Sequence, residues 1–155
     1  MRFYKTLNKF KASNVELDLN DLTATSYGWW LFVKRINGLV VFNSYSYSST
    51  TGQHQLKIKG VLRQLGIDVD IDIRAPKGLQ DLHSALTYYE GEISTLTDLI
   101  NKKGTKKAKN AERQAEIERV RGKIAAVKAL IRAENPTACQ LEMSYKEKEM
   151  ARQWK

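Results

Sequence analysis

Three aspartates alternate with apolar residues in the segment IDVDIDI, residues 67–73. If this segment is a β-strand, Asp68, Asp70 and Asp72 share one face and follow one another at about 7 Å. Carboxylates gathered in this way can hold Mg²⁺ and support phosphodiester hydrolysis. The alternative is that they form the polar side of a half-exposed strand, where charge discourages edge pairing. We adopt this second interpretation and assign no metal, because neither a second acidic strand nor a lysine at the spacing of metal nucleases accompanies them.

Side chains able to act as a general base or nucleophile are few. His54 and His83 are the two histidines, and each falls on or beside an apolar helix face, where a hydrogen-bonded core histidine is the commoner outcome. The chain has no P-loop, no Gly-x-Gly-x-x-Gly and no Cys/His pattern typical of zinc sites. We therefore assign no catalytic residue and no cofactor, and favour a protein without enzymatic activity.

Positive charge is concentrated in one stretch of the chain. The net charge is +9 at pH 7, and residues 101–134 contain 11 Lys and Arg against 4 Asp and Glu, whereas residues 1–100 contain 11 against 10. Charge confined to one element indicates a polyanionic partner such as DNA or RNA, although an acidic protein partner or a solvated surface would give the same composition. The candidate phosphate contacts are Lys102, Lys103, Lys106, Lys107, Lys109 and Arg113.

An aromatic segment could provide a second contact surface. Asn37-Gly38 lies between two apolar runs and predicts a β-hairpin with a type I′ turn. That register places Leu31, Val33, Val40 and Phe42, together with Trp29, on a core-like face. The opposite face is an amphipathic platform on which bases could stack, unless later helices bury it. The candidate residues of this platform are Trp30, Phe32, Lys34, Tyr45 and Tyr47.

The elements around these residues predict an α+β fold. A strand is expected at Val15–Leu19, and a less regular one near residues 2–11. Capping residues at 49–51 and a stop at Gly66 predict a helix with one apolar face. Strict alternation then predicts a strand over residues 67–73. Residues 1–76 are thus expected to form a small mixed or antiparallel sheet with one packed helix.

Residues 77–136 are expected to form a long antiparallel α-helical hairpin. Apolar residues recur at spacings of three and four from Leu79 to Ile100 and again from Ile117 to Ile131, as in two helices that pack along their length. The lysine-rich segment 101–110 joins them and forms the tip, and the same seam could support a homo-oligomer. Thr137 and Gln140 make a capping box, which predicts a short C-terminal helix over residues 137–155.

The segment WWLFVKRINGLVVFNSYSYSSTTGQHQ, residues 29–55, resembles a stretch in small uncharacterised proteins of bacteriophages and related mobile elements. The resemblance implies a phage-encoded protein that acts in the cytoplasm of a host cell. A single cysteine, Cys139, excludes an internal disulfide and fits a reducing compartment. We find no apolar run of the length that a membrane span needs and no signal-peptide core, so we expect a cytoplasmic protein with no membrane association.

These observations predict a non-enzymatic nucleic-acid-binding protein that contacts phosphates through the basic helical arm and bases through the aromatic hairpin face. One alternative is an inhibitor or adaptor that uses the helical hairpin on an acidic protein partner. The other is a metal-dependent nuclease that uses the aspartate strand.

Overall fold

The computed structural model describes residues 4–6 and 8–134, and within them the chain forms one seven-stranded sheet and three α-helices. The α+β class is confirmed. The C-terminal helix expected over residues 137–155 lies outside the described residues. The elements are β1 Tyr4–Thr6, β2 Lys9–Ala12, β3 Val15–Asp18, β4 Thr23–Ser26, β5 Trp30–Ile36, β6 Leu39–Asn43, α1 Ser49–Gln64, β7 Ile71–Ile73, α2 His83–Asn101 and α3 Lys107–Glu134.

The sheet is an antiparallel meander that ends in one parallel pair. Strands β1 to β6 lie side by side in chain order, each antiparallel to the next. Strand β7 then pairs with β6 in parallel, and α1 is the crossover that this change of direction requires. The helical hairpin follows β7, so the parallel pair is where the chain passes from the sheet to the arm.

The β5–β6 hairpin turns at Asn37-Gly38 as the sequence predicts. Asn37 and Gly38 have φ angles of 52° and 79°, the left-handed conformation that a type I′ turn needs at both central residues. Ile36 pairs with Leu39, and the register continues through Lys34 and Val41. The turn therefore fixes the register of the strand ends closest to it.

Further from the turn, a β-bulge at Phe32 reverses the predicted faces. Val33 pairs with Ala24 and Leu31 pairs with Thr25, which leaves Phe32 as the extra residue on β5. The bulge moves Trp30 and Phe32 onto the face of Val33, where they join the same core cluster. The prediction that these two rings share a face with Lys34 is wrong for this reason.

Two hydrophobic cores lie on opposite faces of the sheet. Ile58, Val61 and Leu62 of α1 pack with Trp30, Phe32 and other strand residues on one face. On the other face, Ile36, Val41 and Ile73 pack against residues of α2 and α3 that include Tyr89, Val120 and Val127. The helical hairpin thus shares a core with the sheet at its base.

Helix α1 begins and ends close to the predicted limits. The Ser48 hydroxyl, one residue before the predicted caps, accepts a hydrogen bond from the Thr51 backbone N–H at 3.1 Å. Gly66, at φ 71°, follows the helix C-terminus in the left-handed conformation. The helix contacts the sheet through the buried side chain of Gln55.

Strand β7 is much shorter than the seven residues predicted, because the apolar residues of the segment 67–73 pack in two different cores. Ile67 and Val69 pack against the α1 core, whereas Ile71 and Ile73 belong to the core under the helical hairpin. At Asp70 the backbone N–H still donates to the Val40 carbonyl at 2.9 Å, but the Val40 N–H donates to the Asp70 carboxylate at 2.8 Å and not to a backbone carbonyl. The expectation that alternate apolar residues of this segment share one face is wrong.

The antiparallel helical hairpin is present with a shorter first helix than expected. Helix α2 begins at His83, and Leu79 and Leu82 are buried in the segment before it. Tyr89 of α2 and Ile117, Val120, Val127 and Leu130 of α3 are buried along the seam. At 1.5 Å per residue, the 28 residues of α3 extend about 42 Å, so the helix reaches well past its contacts with the sheet.

The carboxyl end of β6 is held by two buried side-chain amides. Asn43 donates to the Ala75 carbonyl at 2.9 Å and accepts from the Ala75 N–H at 2.9 Å and the Tyr45 N–H at 3.0 Å. Gln55 of α1 donates to the carbonyls of Asn43 and Tyr45, both at 2.7 Å. These bonds satisfy backbone groups that would lack partners where the regular strand pairing stops. They also connect the sheet, α1 and the segment that leads to α2.

We expect Asn43→Ala to destabilise the protein by at least about 1–3 kcal/mol, because it leaves several buried backbone groups without partners. Chemical denaturation at neutral pH measures the change in the free energy of unfolding. Gln53→Ala is the matched control, since it removes an exposed amide from α1. A loss below about 0.5 kcal/mol for Asn43→Ala, as at an ordinary surface site, would contradict the role given to this side chain.

Candidate nucleic-acid interface

The tip of the helical hairpin, residues 99–113, is held by a glycine turn and by hydrogen bonds within the loop. Gly104 has φ 86°, which reverses the chain between α2 and α3. The Thr105 hydroxyl donates to the carbonyl of Leu99 at 3.3 Å and to that of Lys102, so two carbonyls at the end of α2 are satisfied. The loop is therefore a defined turn that presents its lysines outward.

The tip is concave and strongly basic. A cavity of about 350 Å³ opens there, and four of the six predicted phosphate contacts, Lys107 and Arg113 aside, are lysines at its rim. Arg113 also lines it, with its guanidinium donating to the Asn110 side chain at 3.3 Å. The lining residues are Leu99, Lys102, Lys103, Gly104, Thr105, Lys106, Lys109 and Arg113. The structure thus brings together the cations that the sequence singled out, with Lys107 beside them at the start of α3.

The cations of the tip differ from Arg119 and Arg121 on the shaft of α3, which pair with carboxylates, in forming no ion pair among the described residues. Arg119 pairs with Glu116 and Arg121 with Glu118 on the shaft of α3. The pKa of Glu116 lies below its ordinary value because Arg119 donates hydrogen bonds to it. Among the described residues, none of the five tip lysines forms an ion pair, although residues 102–113 include one carboxylate, Glu112. Their charge is therefore available to an anion from outside.

The predicted aromatic platform is not assembled. Trp30 and Phe32 are fully buried, and the Trp30 indole N–H donates to the Pro76 carbonyl at 3.4 Å. Their assignment as base contacts is wrong, because neither ring can reach a ligand in the folded protein. Lys34, also assigned to this surface, lies on the hairpin side of the sheet and pairs with Glu134 at the end of α3.

Two residues of the predicted platform, Tyr45 and Tyr47, remain accessible, and Trp29 is exposed although it was assigned to the core face. Tyr45 is half-buried, with its ring 5.8 Å from that of Tyr88, whereas Tyr47 is exposed. Trp29, which strict alternation assigns to the core, is 60% exposed and lies against the Tyr47 ring. The signal in the sequence that Trp29 is exposed was Gly28, which favours a turn. Tyr27 and Gly28 both adopt positive φ, so Trp29 lies at the end of a turn.

The three aspartates do not form a metal site. Asp68 is exposed outside any strand, and Asp70 is bound to the Val40 backbone. Asp72 accepts a hydrogen bond from Ser44 and lies 3.9 Å from the Lys59 ammonium. Among residues 4–6 and 8–134, no group of three His, Cys, Asp or Glu side chains is placed to hold a metal ion. The shared face on which the nuclease alternative depends is therefore absent.

A second polar cavity of about 440 Å³ lies where β6 and β7 end against the helical hairpin. Burial raises the pKa of Tyr89, whose hydroxyl accepts the Arg74 backbone N–H at 2.9 Å, so this residue is a neutral hydrogen-bonding group and not a base. The lining is Ser44, Asp72, Arg74, Tyr89, Glu92, Glu116, Arg119 and Lys123. Lys123 donates to the Asp72 carbonyl at 2.6 Å, so much of this charge is used in holding the helices to the sheet.

His54 resembles half of a catalytic pair but is enclosed. Its Nδ1 lies 2.8 Å from the Ser26 hydroxyl, and both residues are fully buried. Its Nε2 is buried without a hydrogen-bond partner among the described residues. Burial lowers the pKa of His54, and the positive charge of Lys57 lowers it further. A substrate has no access to this pair, so it stabilises the contact between α1 and β4.

Comparison of the chain with known protein families, with curated proteins and with solved structures found no match. Within the described part of the chain, none of the helices is both long and apolar enough to cross a bilayer.

The lowered pKa of His54 predicts a stability that depends on pH. The unfolded chain binds a proton at this residue near pH 6.5, whereas the folded chain resists it. The contribution is complete above about pH 6.5 and declines as the pH falls, by at most about 1.4 kcal/mol per pH unit. Denaturant melts between pH 7.5 and pH 5 measure the slope, which His54→Gln should flatten. His83 is exposed, so His83→Gln should keep the slope, and a slope shared by both variants would exclude His54 as its source.

Proposed function

We propose that this chain is a nucleic-acid-binding protein without enzymatic activity, which contacts the phosphate backbone of DNA or RNA through the tip of its helical hairpin. The observation that supports this proposal is a cluster of four lysines and Arg113 around one concave surface, with Lys107 beside it, none of them paired with a carboxylate among the described residues. Such a cluster gains affinity by releasing the counterions condensed on a polyanion.

The start of α3 adds to the positive potential of the tip. The helix begins at Lys107, and its first turn contains no acidic residue. Free N–H groups and the positive end of the helix dipole face the same solvent region as the lysines. A phosphate at the tip would therefore meet both side-chain and backbone donors.

The composition of the tip favours nucleic acid over an acidic protein. Protein interfaces are typically depleted in lysine and built around apolar and aromatic anchors. Leu99, at 36% exposure, is the one large apolar side chain in the lining of the tip cavity. Flexible lysine side chains suit contacts with a phosphate backbone, because such contacts carry no information about the base sequence.

The wider setting belongs to the same proposal. A cytoplasmic site of action is supported by the single cysteine, and an origin in a phage or mobile element by the resemblance of residues 29–55. A homo-oligomer through the helical hairpin would place two tips on one nucleic acid and raise the avidity.

Replacing Lys102, Lys103, Lys106 and Lys107 together by glutamine should weaken binding without unfolding the protein, because all four side chains are exposed. Removing one lysine–phosphate interaction lowers the slope of log K against log salt by about 0.7–0.9, so the slope should fall by roughly 3 in this variant. Fluorescence anisotropy of labelled oligonucleotides across a salt series measures both the affinity and the slope.

A matched control removes four positive charges from side chains that are paired with carboxylates. The control residues are Lys9, Lys11, Lys59 and Arg121, each replaced by glutamine. Net charge falls equally in the two variants, so a general charge effect would weaken both. The proposal requires the tip variant to lose much more affinity, and equal losses would remove the tip from the interface.

A further inference from the structure

The largest exposed aromatic surface of the described chain is a pair of rings, Trp29 and Tyr47, which we call the Trp29–Tyr47 stack. The two residues are 60% and 43% exposed. Their ring centroids lie 6.2 Å apart with an interplanar angle of 27°, a stacked arrangement. Tyr27, 44% exposed, is two residues before Trp29 in the same turn. Exposed rings that stack on each other present flat apolar faces with polar edges to solvent.

The stack is supported from beneath by the core. The edge of Tyr47 packs on the buried Trp30 ring, with centroids 5.1 Å apart and an angle of 80°. Trp30 in turn stacks on Phe32 at 6.1 Å. Tyr47 therefore rests on a buried ring of the core as well as on Trp29, so little conformational entropy remains to be lost when a ligand binds.

The backbone of Trp29 is fixed from the other side by Gln80. At the start of β5, the Gln80 side-chain amide donates to the Trp29 carbonyl at 3.0 Å and accepts a hydrogen bond from the Leu31 N–H at 3.1 Å. Gly78, at φ 83°, leaves room for this amide, since a Cβ at Gly78 would collide with it. The backbone that carries the indole is thus held to the segment that precedes α2.

Space around the stack is open. A Cβ built on Gly28, the residue before Trp29, would meet no atom within 4 Å. The large exposed aliphatic side chains among the described residues lie on other elements, for example Leu56 on α1 and Leu99 at the hairpin tip. A pair of rings of this kind suits one flat ligand better than the extended apolar surface of a protein partner, which covers about 800 Å² per side.

We propose that the Trp29–Tyr47 stack binds an unpaired base of the same nucleic acid whose phosphates the tip holds, and that the protein therefore prefers single strands. This inference rests on the proposed function. Aromatic rings stack with any base, so the site gives strand selectivity without sequence selectivity. In a duplex the bases are already stacked on each other, and the indole cannot reach their faces.

The position of the stack sets the length of strand required. Gln80, which binds the Trp29 backbone, lies three residues before α2, so the length of α2, about 28 Å for 19 residues, approximates the separation between the stack and the tip. A stacked strand advances about 3.4 Å per nucleotide, so about eight nucleotides join the two surfaces. Oligonucleotides of 12 or more nucleotides should therefore bind more tightly, per site, than those of four.

The test compares the wild type with Trp29→Ala on three 16-residue probes: a single strand, the duplex of the same sequence, and a single strand of abasic sugar-phosphate units. Trp29→Ala should weaken binding of the natural single strand by about 5- to 150-fold, the effect typical of one stacked base. Its affinity for the duplex and for the abasic strand should equal that of the wild type. The salt slope should not change, because the variant keeps all the lysines that bind phosphates.

Two further variants control for structure and surface. Trp29→Phe keeps a ring at the site and should restore most of the affinity for the natural strand. Leu56→Ala removes a side chain that is 71% exposed on α1 and should change none of the three affinities. Thermal melts of every variant show whether the fold is intact.

The outcomes separate this inference from the proposed function. If Trp29→Ala binds the natural single strand as well as the wild type, the base site is disproved while a salt-sensitive tip still stands. Equal weakening on the natural and abasic strands would also overturn it, since stacking requires bases. If the wild type binds none of the probes, both proposals fail together.

Discussion

The arrangement of the molecule depends on how the buried amides of Asn43 and Gln55 end the antiparallel meander. At this point the chain leaves β6 for α1, and the later strand β7 returns in parallel, so backbone groups lose their ladder partners inside the core. The side chain of Asn43 bonds both backbone polar groups of Ala75, and the side chain of Gln55 on α1 bonds the carbonyls of Asn43 and Tyr45. Because unpaired buried amides are costly, these bonds fix the exit of the chain toward the helical hairpin.

A division between base and tip follows from this geometry. At the base, Val120 and Val127 of α3 share a core with the sheet, and Lys34 and Lys123 reach across to the helix end and the strand end. At the tip, the lysines have neither core nor carboxylate partners among the described residues. Stability therefore resides where the helical hairpin meets the sheet, and the charge available for binding resides where substitutions disturb the fold least.

How far the sequence predicts each feature depends on whether its cause is local. Three features follow from residues that are close in the chain, and the sequence predicts each of them. They are the Asn37-Gly38 turn, the spacing of apolar residues along α3 and the cationic tip. The bulge at Phe32 depends on how β5 fits both β4 and the α1 core, which no short segment encodes. Since side chains alternate with a period of two, that single extra residue exchanges the faces of Trp30 and Phe32. The truncation of β7 has a similar origin, because tertiary packing divides the residues of IDVDIDI between two cores.

The same bulge couples the buried rings to the exposed ones. Trp30 is drawn into the α1 core, and from there its ring supports the edge of Tyr47, against which Trp29 stacks. Adjacent tryptophans thus have opposite environments, one fully buried and one 60% exposed, yet they belong to one continuous set of ring contacts. A change at Trp30 would disturb the stack only by disturbing the core, whereas a change at Trp29 alters the surface alone. The aromatic surface of this fold is therefore an outward extension of its core, and its rigidity comes from the packing beneath it.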